Sequence, residues 1–150
     1  KQKGYDQVLW LDAKEFKYVQ EVGTMNIFFV FEDEVVTPAT DGAILKGITR
    51  NSIINILKEK DIKVTERKIS IDEVMERGKD GSLKEIFGSG TAAVVANVHK
   101  LTNNDDTITF TDDDFKLSKE LKNYIDKLRN GKMKDEFGWI IPVASEKVTA

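Results

Sequence analysis

Three short stretches of the chain combine glycine with small polar residues at the end of apolar runs. They are Glu21-Val22-Gly23-Thr24-Met25-Asn26, Gly47-Ile48-Thr49-Arg50 and Phe87-Gly88-Ser89-Gly90-Thr91-Ala92. In the second, a Gly-Ile-Thr turn feeding a helical pattern would leave the N–H groups of Ile48 and Thr49 free. The helix dipole adds partial positive charge there, so these groups and the Thr49 hydroxyl suit a phosphate. An ordinary helix with Thr49 as its N-cap is the plain alternative. In the third, a Gly-Ser-Gly-Thr turn between two strands would let a ligand approach the backbone closely. Thr91 could give a hydroxyl to a phosphate and the Ala92 N–H could meet a carboxylate; a glycine-rich hairpin loop is the alternative. The first stretch ends a strand with an acid, Glu21, and an acid in that place is most often solvated.

The composition narrows the chemistry further. The chain has 150 residues, enough for one domain with one sizeable core, with 40% hydrophobic and 33% charged residues. Its formal net charge is −3, without the basic excess of a nucleic-acid-binding domain. No apolar run approaches the roughly 20 residues of a membrane span. Cysteine is absent, which removes disulfides, thiol nucleophiles and Cys-ligated zinc, and fits a reducing compartment. The single histidine, His99, removes any two-His metal site, and packing is the simpler role for it. Asp112-Asp113-Asp114 lacks the glycine and distal glutamate of a calcium loop and reads as a solvated helix start.

The elements that must position these stretches follow from pattern. Strands are expected at Gln7 to Leu11, Lys17 to Val22 and Asn26 to Phe31, with Val35 to Thr37 as a return ended by Pro38. The unbroken Ile27-Phe28-Phe29-Val30-Phe31 run implies a strand covered on both faces. A helix follows Gly47, with Ile53, Ile54, Ile56 and Leu57 as its apolar stripe. Ser70-Ile71-Asp72-Glu73 reads as a capping box opening a second helix that ends at Gly78 or Gly81. Further strands are expected at Glu85 to Gly88, Ala93 to Leu101 and Thr107 to Phe110. A long helix spans Phe115 to Asn130, closed by Gly131. Strands interleaved with helices predict one α/β domain over residues 1–150 with a mixed sheet.

Taken together and in this order, the three stretches resemble the C-terminal half of branched-chain amino acid aminotransferases, the fold-type IV pyridoxal 5'-phosphate (PLP) enzymes. Gln7 to Asp12 resembles the family's strand before the acidic motif, Asp41 to Arg50 its phosphate-loop segment, and Phe137-Gly138-Trp139 its C-terminal end. The likeness runs from about Gly4 to Val143. It implies the large C-terminal domain of the D-amino acid aminotransferase-like fold, a mixed sheet partly closed into a barrel with flanking helices. It also implies that Glu21 faces the pyridine nitrogen of PLP. Ile48, Thr49 and Thr91 would hold its phosphate, with Gly47 and Gly90 giving close backbone turns. Thr24, Gly23 and the Ala92 N–H would fix the substrate carboxylate.

The resemblance also implies what lies elsewhere. The family's Schiff-base lysine sits upstream of the acidic motif, and no lysine here stands in such a motif; Lys14 and Lys17 read as exposed. The expectation is therefore a fragment lacking the N-terminal domain, inactive alone. The whole would be a cytoplasmic homodimer exchanging amino groups between Leu, Ile or Val and 2-oxoglutarate. Some members carry a redox Cys-x-x-Cys where this chain has Ala93-Val94-Val95-Ala96. The alternatives are another fold-type IV enzyme (D-amino acid aminotransferase or aminodeoxychorismate lyase) and a non-catalytic module binding a phosphate ligand.

Overall fold

A computed structural model of the chain describes residues 4–141 and 143. Its elements are β1 (Leu9–Leu11), β2 (Val19–Val22), β3 (Met25–Phe31), β4 (Val35–Thr37), α1 (Ile48–Glu59), β5 (Val64–Glu66), α2 (Ile71–Lys79), β6 (Leu83–Gly90), β7 (Val94–Asn97), β8 (Lys100–Asn103), β9 (Asp106–Thr109) and α3 (Leu117–Arg129). Seven strands form a mixed sheet, and β8 and β9 form a separate hairpin. Among the described residues no helix is long and apolar enough to cross a membrane.

β3 is the axis of the sheet, and it is buried on both faces as its apolar run predicts. One edge pairs with β6 from Asn26 to Phe31. The other edge is shared: β2 takes Met25 and Asn26, and β4 takes Phe29 and Val30. Between them the buried Thr37 hydroxyl donates to the Ile27 carbonyl at 2.8 Å. The two short partners therefore diverge from one edge of a single strand. Beyond β4, the connection α1 leads to β5, which lies parallel to β4. β5 was not foreseen, because Val64-Thr65-Glu66 is too short to show alternation.

Each sheet face has its own core. Ile27, Phe29, Phe31 and Ile86 pack with Val74 and Met75 of α2 and with Leu101 and Ile108 of the small hairpin. Phe28, Val30, Phe87 and Val95 pack with Ile53, Ile56 and Leu57 of α1 and with Leu121 and Ile125 of α3. Phe28 and Phe87 are register partners and stack at 5.0 Å. Gly78 does not end α2. It lies inside the helix, where a Cβ would come within 2.2 Å of the Ile108 side chain, so the small hairpin reaches the helix only over a glycine.

The helix starts separate into two kinds. α2 begins as expected, with the Ser70 Oγ accepting from the Glu73 N–H at 3.1 Å and Asp72 and Glu73 in its first turn. α3 starts at Leu117 rather than Phe115, and its cap comes from a distant strand. The Glu85 carboxylate, 3% exposed, accepts from the N–H groups of Lys116, Leu117 and Ser118 at 3.0, 2.7 and 2.9 Å. A sequence pattern cannot show a cap that lies 31 to 33 residues away. α1 starts at Ile48 with Gly47 at the cap position and no side-chain cap. Thr49 is thus inside the helix, not its N-cap.

Two other expectations change. Gly88-Ser89-Gly90 belongs to β6 rather than to a turn, and the turn is residues 91–93. The predicted run Ala93 to Leu101 breaks at Val98 and His99 into β7 and β8, which belong to different sheets. His99 is half exposed and has an acid partner: its Nε2 lies 3.2 Å from Asp112 Oδ1, with the ring edge on Phe115. That contact holds the Asp112 carboxyl below the usual carboxylate range.

Two outcomes follow from these caps. Glu85→Ala removes three acceptors from a buried helix start and should lower unfolding stability by about 3 kcal/mol, with Glu85→Gln costing roughly 1. Urea unfolding at constant m-value measures both. In the turn before β2, the Asp12 carboxylate accepts from the N–H groups of Tyr18, Glu15 and Lys17 at 2.7, 2.7 and 2.9 Å. These bonds, Tyr18's first, lower its pKa from 3.8 to about 2. The carboxylate therefore stabilises the fold fully above pH 3.8, and that contribution fades as pH falls through about 2. Carbon-detected NMR of the Asp12 carboxyl should give that midpoint, and Asp12→Asn should abolish this part of the acid loss.

Candidate functional site

The strand register brings the three glycine stretches to one end of the sheet. Glu21 is opposite Asn26, Asn26 is opposite Ser89, and Ser89 is opposite Val95. Direct partners in antiparallel strands share a face, so Glu21, Asn26 and Ser89 form one polar row across β2, β3 and β6. The neighbouring row along the strands, Phe28 and Phe87, is wholly apolar. One step beyond the polar row lie two hairpin turns: Gly23-Thr24 between β2 and β3, and residues 91–93 between β6 and β7. Thr24, Thr91 and Ala92 are exposed on these turns.

The start of α1 reaches the same end. The segment leaving β4 crosses the gap between β4 and β2, and the Leu45 N–H donates to Glu21 Oε1 at 3.0 Å. Asn26 Nδ2 donates to the Leu45 carbonyl at 2.8 Å and, at a longer 3.4 Å, to the same Oε1. Gly47 follows at once. Its φ is −63°, so any residue could adopt its conformation; the constraint is space, because a Cβ there would lie 2.2 Å from Asn26 Oδ1. Gly23 has the opposite need as well: its φ of +58° favours glycine, and a Cβ would also strike the Gln7 side chain at 2.1 Å. Gly88 and Gly90 lie against Met25, where a Cβ would come within 3.0 and 3.2 Å of its side chain. They keep β6 close to β3.

Arg50 anchors this helix start from below. It is 5% exposed, and its guanidinium donates to the Pro38 carbonyl at 2.9 Å and to Glu66 at 2.8 Å. The clamp ties α1 to the ends of β4 and β5, so α1 enters at a fixed place. Its first residues, Ile48 and Thr49, have backbone N–H groups without an intrahelical partner, since the ladder begins with Asn51 donating to Gly47. Unlike the other two helices, α1 has no acidic residue in its first turn. Ile48 is 86% exposed and Leu45 71%, so apolar side chains flank these free donors.

The turn beyond Gly90 carries local strain. Val94 has φ +57°, an outlier for a β-branched residue, and Val95 N–H closes a tight turn on the Ala93 carbonyl at 2.6 Å. The side chain is buried in the core under α1 and α3, and that packing holds the conformation. A cavity of about 220 Å³ lies along β2 and the segment after β4, lined by Tyr18, Val19, Gln20, Pro38 and Ile44 among others. It fills the gap where β2 and β4 diverge. It does not include Glu21, Thr49 or Thr91.

All the expected site residues thus belong to this end of the sheet or to the helix start beside it. Asn26 and Arg50 were quoted in the motifs but not singled out. Asn26 bonds to Glu21 and Leu45, and Arg50 to the ends of β4 and β5, and only contacts across the fold reveal that.

The chain belongs to the amino-transferase class IV family, whose pattern matches residues 1–101. It is 49% identical over 145 residues to branched-chain-amino-acid aminotransferase 2 of Bacillus subtilis, covering 96% of this chain and 40% of that protein. Its structure matches the branched-chain amino acid aminotransferase of Escherichia coli with a TM-score of 0.74 at 27% identity, over 92% of this chain and 42% of that one. It also matches a Brucella abortus aminotransferase described as bound to the cofactor PLP, with a TM-score of 0.67 at 26% identity, over 85% and 40%. The chain therefore spans about 40% of the length of these relatives.

Gly47→Ala tests the geometry of the helix start. The new methyl group must push Asn26 off the Leu45 carbonyl, at a cost of about 1–3 kcal/mol. Hydrogen exchange of the Leu45 amide should quicken while the β3–β6 ladder keeps its protection.

Proposed function

We propose that this chain is the PLP-cradling portion of a branched-chain amino acid aminotransferase, exchanging amino groups between Leu, Ile or Val and 2-oxoglutarate. The observation that carries the reading is the uncapped start of α1, with free N–H groups and no acid, set beside a carboxylate whose second oxygen is open. Among the described residues, both hydrogen bonds of Glu21 go to Oε1. Oε2 is left to accept from a protonated ring nitrogen, and the N–H groups of Ile48 and Thr49 to donate to a phosphate. The residues present therefore fit this cofactor at both of its charged ends.

When bound, the cofactor supplies an electron sink for the pair left as the substrate α-proton departs. Glu21 keeps the ring nitrogen protonated, and Leu45 and Asn26 hold that carboxylate in place. Ile48, Thr49 and Thr91 hold the phosphate. The Thr24 hydroxyl and the Ala92 N–H orient the substrate carboxylate, with Gly23 and Gly90 keeping the two turns close. The proton-shuttling lysine comes from the preceding domain; Lys14 and Lys17 are exposed on the turn after β1. Exposed Leu45 and Ile48 face that domain, the sheet completes its partial barrel in the whole protein, and the whole works as a cytoplasmic homodimer.

Titration of the chain with PLP, then borohydride reduction and peptide mass spectrometry, tests this reading. Binding should be reversible and weakened about tenfold by Thr49→Val or Thr91→Val, matching the loss of one charge-assisted hydrogen bond. No single lysine should carry the reduced label, and leucine with 2-oxoglutarate should give no turnover. One stoichiometric pyridoxyl-lysine would place the catalytic lysine in this chain and refute the division of labour. With the full-length protein, turnover of D-alanine in preference to leucine would favour the D-amino acid relatives instead.

A further inference from the structure

Asn26 is 5% exposed and occupies the middle of the polar row. Its single planar amide meets three things at once. Nδ2 donates to the Leu45 carbonyl and to Glu21 Oε1, and Oδ1 fills the space that a side chain on Gly47 would need. The Leu45 carbonyl also accepts from the Gly47 N–H at 2.9 Å, so the group that Asn26 grips is bonded directly to the residue that starts α1. The Leu45 N–H, on the same residue, returns to Glu21. The result is a closed circuit: Glu21 to Asn26, Asn26 to Leu45, and Leu45 back to Glu21, with Gly47 attached.

The residue type matters for this circuit. An amide offers two N–H groups, one for the carbonyl and one for the carboxylate. An aspartate would face Glu21 with a like charge, and a leucine would leave the Leu45 carbonyl short of a donor. A burial-driven core would favour an apolar residue here, as at Phe28 and Phe87 in the neighbouring row. The polar row runs against that preference at a cost. Ser89 shows the same cost, with a hydroxyl 1% exposed and without a hydrogen-bond partner among the described residues. Departures of this kind from core logic concentrate where function sets the residue.

We propose that Asn26 is a positioning residue that holds the Glu21 carboxylate and the N-terminus of α1 in place together, as the two ends of one ligand site. The proposal depends on the reading of this end of the sheet as a cofactor cradle. Neither end can drift alone, because the same amide is bonded to one and packed against the other. Loss of Asn26 therefore loosens both ends together, whereas loss of a ligand-facing group loosens one.

The test separates the two ends with two probes: inorganic phosphate for the helix start and pyridoxamine for the carboxylate, each measured by calorimetry on the chain. Asn26→Ala should weaken both by at least fivefold. Glu21→Gln should weaken only pyridoxamine, and Thr49→Val only phosphate. Melting temperature is read alongside, because a merely structural asparagine would lower it without changing the two affinities. If Asn26→Ala does not fold, Asn26→Thr, which suits a strand, replaces it. A folded variant that binds both probes within twofold of wild type overturns the role of Asn26 and leaves the cradle standing. A wild-type chain that binds neither PLP nor either probe overturns both.

Discussion

The structure depends on a shared strand edge. β3 gives its whole length on one side to β6, but divides the other side between β2 and β4. Two short strands cannot lie side by side on one edge without diverging, and they part at Ile27 and Phe28. The Thr37 hydroxyl covers the Ile27 carbonyl at that point, so a buried acceptor is not stranded. The gap lets the chain leaving β4 cross back toward β2. That crossing brings Leu45 to Glu21 and sets α1 down beside the polar row.

Everything else holds that crossing in place. The apolar faces of β3 give each side a separate core, so α1 and α2 pack on opposite faces of one strand. Arg50 then ties the start of α1 to Pro38 and Glu66, at the ends of the two parallel strands that α1 connects. Only one side-chain fork is needed, because the helix axis is already set by Ile53, Ile56 and Leu57 against Phe28 and Phe87. The free N–H groups at Ile48 and Thr49 are thus delivered by a rigid element rather than by a mobile loop, which suits repeated binding of one charged group.

The legibility of these features in the sequence follows their range. The α1 stripe, the Ser70 cap and the doubly buried β3 were readable because each is a local pattern of period or chemistry. The strands at Val64–Glu66 and after Val94 were misjudged where pairing, not propensity, decides the element. The run from Ala93 to Leu101 has uniform strand character, and only the change of sheet at Val98 and His99 divides it. The cap of α1 was misread and that of α3 was unforeseen for the same reason: one has no side chain at all and the other comes from Glu85 on β6. The candidate site was suggested by resemblance to a family, since Gly-Ile-Thr or Gly-Ser-Gly-Thr alone fits many turns.

In the proposed cradle many of the contacts would come from backbone, so the demands on side chains differ along it. Ile48 and Ala92 would act through N–H groups, so their side chains need only stay out of the way; Ile48 in fact turns its side chain to solvent. The glycines act through space: Gly47 by what it lets Asn26 touch, and Gly88 and Gly90 by letting Met25 close on β6. Ligand-facing side-chain chemistry would be needed where charge or a directed hydroxyl is required, at Glu21, Thr24, Thr49 and Thr91. A substitution at Ile48 to another large residue should therefore be tolerated, while one methyl group on Gly47, a far smaller change, displaces the amide that joins the carboxylate to the helix. In the proposed cradle, side-chain volume is constrained from within the fold at Gly47 and is not at Ile48.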